Sequence, residues 1–132
     1  MLNRQEIFNI VITHLLKQEY KSKSSRVNKE EAMKAYHGIR GRKSALGVLI
    51  SRSAYLEEME GKSVNEVFDL YGHRFTNICC DYITVELIKN LEFLHDNYLL
   101  DKANIKCKWK VQFKHNARKM ASYYGLTMPE IK

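Results

Sequence analysis

The chain has 132 residues, 45% of them hydrophobic and 28% charged, with a formal net charge of +7. This length favours one domain over residues 1–132, and this balance excludes a disordered chain. Three cysteines, two of them adjacent, do not make a disulfide framework, and apolar runs far shorter than a bilayer exclude a membrane span.

Asn3 and Glu6 have capping-box spacing ahead of Ile7, Phe8, Val11, Leu15 and Leu16, which share one helical face. The first helix is expected to end near Tyr20. Arg4, Glu6, Asn9, Thr13 and His14 interrupt the apolar residues of this stretch, so it reads as an amphipathic helix and not as a secretory leader. Cytoplasm is the expected location. Lys21 to Arg26 is a polar, basic loop. Asn28 and Glu31 repeat the capping spacing and predict a short helix, Lys29 to Tyr36, that stops at Gly38.

Gly38-Ile39-Arg40-Gly41 suits a hairpin turn. The apolar run Ser44 to Ile50 fits a buried strand or a buried helical turn equally well. Ser63 and Glu66 predict a capped helix from Val64 to Tyr71, closed by Gly72. A long helix is predicted from Asn77 to Tyr98, with Cys80, Ile83, Leu87, Leu91 and Leu94 as its apolar stripe. The last helix is predicted from Ile105 to Tyr124. Trp109, Phe113, Ala117, Met120 and Tyr124 lie on one face, and Gly125 stops it. The expected fold is mainly α, a compact helical domain with at most one short hairpin near residues 33–50.

Charge is segregated along the chain. Lys17 to Lys43 holds nine Lys/Arg against three acids, and Lys102 to Lys119 holds seven against none. The stretch between them holds four Lys/Arg against ten acids. Two basic segments flanking an acidic middle point to an anionic partner, or to ordinary solvated faces.

The segment Gly38 to Lys43 is the most suggestive motif. Its glycines permit close approach of the backbone to a ligand, and Arg40, Arg42 and Lys43 supply fixed positive charge. If Ser44 to Ile50 is helical, free N–H groups at its start would complete a phosphate cradle. The spacing is not that of a Walker loop. This reading makes Tyr36, His37, Gly38, Arg40, Gly41, Arg42 and Lys43 the contacts for an anionic, nucleotide-like ligand. Alternatively, both basic segments track the phosphate backbone of a nucleic acid, with Lys108, Lys110, Lys114 and Arg118 of the last helix in front. Trp109, Phe113 and Tyr124 have core spacing.

His95 and Asp96 form the one conceivable acid–base pair. Neighbours on a helix diverge, so a direct hydrogen bond between them is not expected, and a packed His95 is the better reading. His14, His37 and His73 have no metal-ligand spacing with Cys79 or Cys80, which read as small core residues. No cofactor motif is legible, and the sequence leaves homo-oligomerisation open.

The stretch Ala35-Tyr36-His37-Gly38-Ile39-Arg40-Gly41-Arg42-Lys43-Ser44-Ala45-Leu46-Gly47-Val48-Leu49-Ile50 resembles a family of small bacteriophage and prophage proteins. That family shows Tyr-Arg-Gly-x-x-Gly-x-Lys-Cys-Ala-x-Gly-Cys-Leu-Ile. In the family a Tyr, a Met-Glu-Gly, a His-Asp pair, a Trp and a closing Tyr-Gly-Leu follow. These are similar to Tyr55, Met59-Glu60-Gly61, His95-Asp96, Trp109 and Tyr124-Gly125-Leu126 here. His37 stands where the family has Arg, and Ser44 and Val48 stand where it has Cys, so no cysteine chemistry carries over. The resemblance implies a viral accessory protein of the host cytoplasm. Its expected role is to capture a nucleotide-like ligand or to block a host defence protein, without itself being an enzyme.

Overall fold

The computed structural model describes residues 1–24, 34–100 and 108–130. Five α-helices lie among the described residues: α1 (Arg4–Gln18), α2 (Ala45–Leu49), α3 (Val64–Tyr71), α4 (Tyr82–Tyr98) and α5 (Trp109–Tyr124). Three short 3-10 turns, at Ile39–Gly41, Glu57–Met59 and Gly72–Arg74, punctuate the connections. Extended pairing among these residues is limited to isolated bridges. The fold is mainly helical, as the sequence predicts.

Local capping sets most helix starts. Asn3 Oδ1 accepts the Glu6 N–H at 2.8 Å while Glu6 Oε1 accepts the Asn3 N–H at 3.0 Å, and Ser63 and Glu66 repeat the exchange at α3. Asp81 caps α4 through the Thr84 N–H. Gly125 closes α5 at φ 68, where an L side chain would be strained.

α4 is the central helix, packing on α1, α2, α3 and α5. Parallel bridges pair Leu2 with Ile78 and Tyr20 with Leu100, so α1 and α4 run side by side in the same direction. α5 runs the opposite way. Lys110 near its start approaches Glu19 at the end of α1, and Thr127 beyond its end bonds Gln5 at the beginning of α1. The core between them holds Ile7, Phe8, Val11, Ile12 and Leu15 of α1, Leu87, Ile88 and Leu91 of α4, and Phe113 and Ala117 of α5, all fully buried. Trp109 is buried at the edge of this core, edge-on to Phe113 at 6.3 Å.

Several sequence expectations change. Ala45–Leu49 form the short helix α2, deciding the choice between strand and helical turn that the sequence left open. Most of the predicted helix Lys29–Tyr36 lies outside the described residues, and its described end is extended, with Lys34 bridging Lys23. The first turns of the predicted helix Ile105–Tyr124, with Lys106 and Cys107, also lie outside them. α4 begins at Tyr82 and not at Asn77, because Leu2 pairs alongside Ile78 and Asp81 sets the cap. Its buried stripe is Thr84, Leu87, Ile88, Leu91, Glu92, Leu94 and His95. Ile83 is 48% exposed and Cys80 precedes the helix on the surface, so neither cysteine of the pair is a core residue. Leu87, Leu91 and Leu94 are buried as predicted, and the polar Thr84, Glu92 and His95 complete the buried face. On α5, Ala121 takes the buried place expected for Met120, which is half-buried.

Truncating Phe113 to Ala should cost about 3–5 kcal/mol, and Trp109→Ala a similar amount. Urea unfolding followed by circular dichroism measures both. A loss below about 1 kcal/mol at either site would contradict the packing described.

Candidate functional site

The turn at residues 36–44 is built from the protein's own hydrogen bonds. Gly38 N–H donates to the Arg42 carbonyl at 2.8 Å, Arg42 N–H to Ile39 at 3.1 Å, and Ser44 N–H to Tyr36 at 3.1 Å. Ile39 N–H donates to Lys23. The Tyr36 and His37 N–H groups both donate to the Glu60 carboxylate, at 2.8 and 3.1 Å, and the Tyr55 hydroxyl donates to the same group. His37 stacks on Tyr55 with centroids 4.1 Å apart, and its Nε2 lies 2.9 Å from the Gly47 carbonyl.

Two glycines are fixed by contact. A Cβ on Gly47 would lie 1.9 Å from the Tyr36 carbonyl oxygen, and one on Gly38 would lie 2.4 Å from Ser22 Oγ. Gly41, at φ 69, turns the chain.

The expected phosphate cradle at the start of α2 is a correction. α2 is helical, but the Leu46 and Gly47 amides at its start are already occupied. Glu92 Oε2 accepts the Leu46 N–H and the Ser44 hydroxyl, each at 2.7 Å, and Ser44 Oγ receives the Gly47 N–H. A buried carboxylate from α4 therefore sits where an incoming anion would bind.

That carboxylate belongs to a polar cluster. The Lys34 ammonium lies 2.6 Å from Glu92 Oε1 and 3.1 Å from Asp96 Oδ2. His95 Nδ1 lies 2.8 Å from Asp96 Oδ1, and His95 Nε2 accepts the Ser22 N–H at 2.9 Å. The direct His95–Asp96 bond, unexpected from helix geometry, has a physical cause. Glu92 and Asp96 stand four residues apart on one ridge, and Lys34 bridges them, drawing the Asp96 carboxylate toward the buried face.

His95 is 1% exposed with both ring nitrogens engaged, so the pair clamps Ser22 to α4. Glu92, His95 and Asp96 bring donor atoms within 4.8 Å of one another, a spacing suited to a metal ion. Lys34 supplies the positive charge there instead. Burial pulls the Lys34 ammonium down, but the Glu92 and Asp96 charges outweigh it and hold it above its ordinary value. Burial pushes the Asp96 carboxyl up, yet the His95 donor and the Lys34 charge prevail and hold it below the usual range. Burial, then the Glu92 and Glu60 charges, push the Tyr36 phenol up. For Tyr55 the upward push comes from burial and then from its bond to Glu60.

The residues expected at the site divide accordingly. Tyr36 is buried, with its hydroxyl donated to the Lys62 carbonyl, and His37 and Gly38 are packing residues. Arg40 and Gly41 are exposed at the tip of the turn, and Arg40 adopts φ 58. The Arg42 guanidinium lies over the Tyr20 ring at 4.6 Å. Lys43 is anchored by its backbone to the Gln18 side-chain amide in both directions, at 2.8 Å each. On α5, Lys108, Lys110 and Arg118 are exposed and Lys114 is half-exposed.

The end of α1 joins these two groups. Tyr20 carries Arg42, while its neighbour Glu19 pairs with Lys110 at 3.7 Å. Backbone bonds from Leu100 to Glu19 and from Lys21 to Leu100 hold this corner in place. The two basic segments, remote in sequence, thus meet at Glu19-Tyr20. Sequence reasoning missed the corner, and also missed Lys34, Ser22 and Glu92. The only trace of it was the charge segregation, which does not say where the segments lie in space.

No protein-family model matches the chain, and no curated protein and no solved structure matches it.

Two measurements check the cluster. Glu92→Ala strands the Ser44 hydroxyl, the Leu46 N–H and the Lys34 ammonium, and should cost about 3–5 kcal/mol in urea unfolding. Asp96 keeps its charge to lower pH in the folded than in the unfolded state. Its contribution should therefore be complete above about pH 5 and vanish as pH falls through and below about 4. The stability gap between wild type and Asp96→Asn should close over that acid range. A gap of constant size down to about pH 2 would disprove the pairing.

Proposed function

We propose that this protein binds nucleic acid through the phosphate backbone, using one basic face formed by both charged segments. The meeting of those segments at Glu19-Tyr20 carries this reading. Arg40 and Arg42 extend from the turn, and Lys108, Lys110, Lys114 and Arg118 from α5. No acidic residue lies between Lys102 and Lys119. Such a face neutralises phosphates and releases their counterions, which gives affinity without base selection.

A pocketed nucleotide is less well supported. Gripping one phosphate requires backbone amides, and those of Gly38, Ile39, Arg42, Lys43, Ser44 and Leu46 donate within the protein. The side-chain cations suit an extended polyanion better. The phage-type accessory role implied by the sequence resemblance provides the setting, with the nucleic acid of the host or the virus as partner.

Fluorescence anisotropy with a labelled oligonucleotide across a salt series tests the reading. If each of the six side chains neutralises one phosphate, log K should fall against log salt with a slope of roughly −5 for duplex DNA. Arg42→Ala and Arg118→Ala should each make that slope shallower by about 1 while leaving the melting temperature nearly unchanged. Glu19→Gln frees Lys110 and should tighten binding a few-fold. Absence of binding at low salt, or a slope near zero, would remove the proposal.

A further inference from the structure

A groove of about 800 Å³ opens between α4 and α5, a volume within the range of ligand sites. Tyr82 of α4 and Tyr123 and Tyr124 of α5 line it, together with Arg4, Lys119 and Glu86, whose carboxylate is paired with Lys89 at 3.5 Å. Tyr82 is 78% and Tyr123 83% exposed, an unusual display of aromatic surface. Their neighbour Tyr124 is fixed, with its hydroxyl accepting from Asn90 Nδ2 at 2.6 Å and its ring edge-on to Tyr123 at 5.0 Å. Arg4 is held by Asp81 at 3.0 Å, whereas Lys119 has no acidic partner among the described residues.

The groove continues a ridge of α5. Lys108, Gln112, His115, Lys119 and Tyr123 recur at helical spacing, and all five are exposed. At 1.5 Å per residue the ridge runs about 22 Å, and it ends at the aromatic groove. A lysine at each end of a polar track, with aromatic faces beside the second, suits unpaired nucleotides, because every base offers a face for stacking. A duplex hides those faces between its own base pairs.

Building on the phosphate-backbone reading, we infer that the partner is single-stranded. Its phosphates follow the α5 ridge, and an unpaired base enters the α4–α5 groove to stack on Tyr82 and Tyr123. Lys119 at the groove neutralises the phosphate next to the stacked base.

The test compares a single-stranded oligonucleotide carrying 2-aminopurine with a duplex of the same length, each titrated against wild type, Tyr82→Ala, Tyr123→Ala and the double variant. Wild type should bind the single strand at least about ten-fold tighter than the duplex and change the 2-aminopurine fluorescence. Each single substitution should weaken single-strand binding roughly ten-fold. The double variant should lose the fluorescence change and the preference, yet keep duplex binding and its salt slope. Both rings are mostly exposed, so far-UV circular dichroism and melting temperature should match wild type.

Duplex binding as tight as single-strand binding, or single-strand binding untouched in the double variant, overturns this inference and leaves the phosphate-backbone reading standing. Failure of wild type to bind either oligonucleotide at low salt overturns both.

Discussion

The carboxylate of Glu92 is the constraint around which this structure is organised. It is 3% exposed and lies at the centre of the helical core. An ionised group in such a place must be met by donors on every side. It finds them in two parts of the chain: the Ser44 hydroxyl and Leu46 amide at the start of α2, and the Lys34 ammonium before it. Satisfying this one charge fixes where α2 begins, which way it points and where the strand-like segment before it passes. Asp96 and His95 extend the arrangement to Ser22. A second carboxylate, Glu60, does the same at shorter range by holding two successive amides and the Tyr55 hydroxyl. Together they convert the glycine-containing turn from a flexible ligand loop into a rigid platform.

That rigidity shapes the chemistry of the surface. With its amides committed inward, the turn presents the side chains of Arg40 and Arg42, and Tyr20 holds the Arg42 guanidinium in place. Arg42 is thus ordered in the free protein, which would lower the entropy lost on meeting an anion. Lys110 is treated differently, since Glu19 stands beside it as an internal competitor for the same charge. The two basic segments thus contribute a stacked arginine and an ion-paired lysine.

What could be read from the sequence was what local chemistry decides. Asn3 with Glu6, Ser63 with Glu66, and Gly125 each announce a helix end within four residues, and each stands where expected. Glu92 was illegible because an acid in mid-helix looks like a solvent contact until its partners from residues 34 to 46 are brought to it. Ile83 misled for the opposite reason, being an apolar residue left half exposed on the wall of the α4–α5 groove. His95 was rightly read as packed, but its bond to Asp96 depends on Lys34, 61 positions earlier in the chain. The resemblance pattern was legible as a string. The structure gives several of its elements packing roles: Gly47 clears the Tyr36 carbonyl, Tyr55 and Glu60 brace residues 36 and 37, and Gly125 turns the end of α5.

The dependence of α2 on Glu92 also orders events in time. Five residues are far too few to hold a helix in isolation, since nucleation is costly and propagation stops almost at once. The cap of α2, Ser44, is held in place by Glu92, which also takes the Leu46 N–H from 46 positions away. α2 is therefore expected to form only once α4 is docked and the chain between them has closed, an entropic cost that slows assembly. On this account α2 and the turn beside it are expected to join late in folding, completed by the core rather than nucleating it.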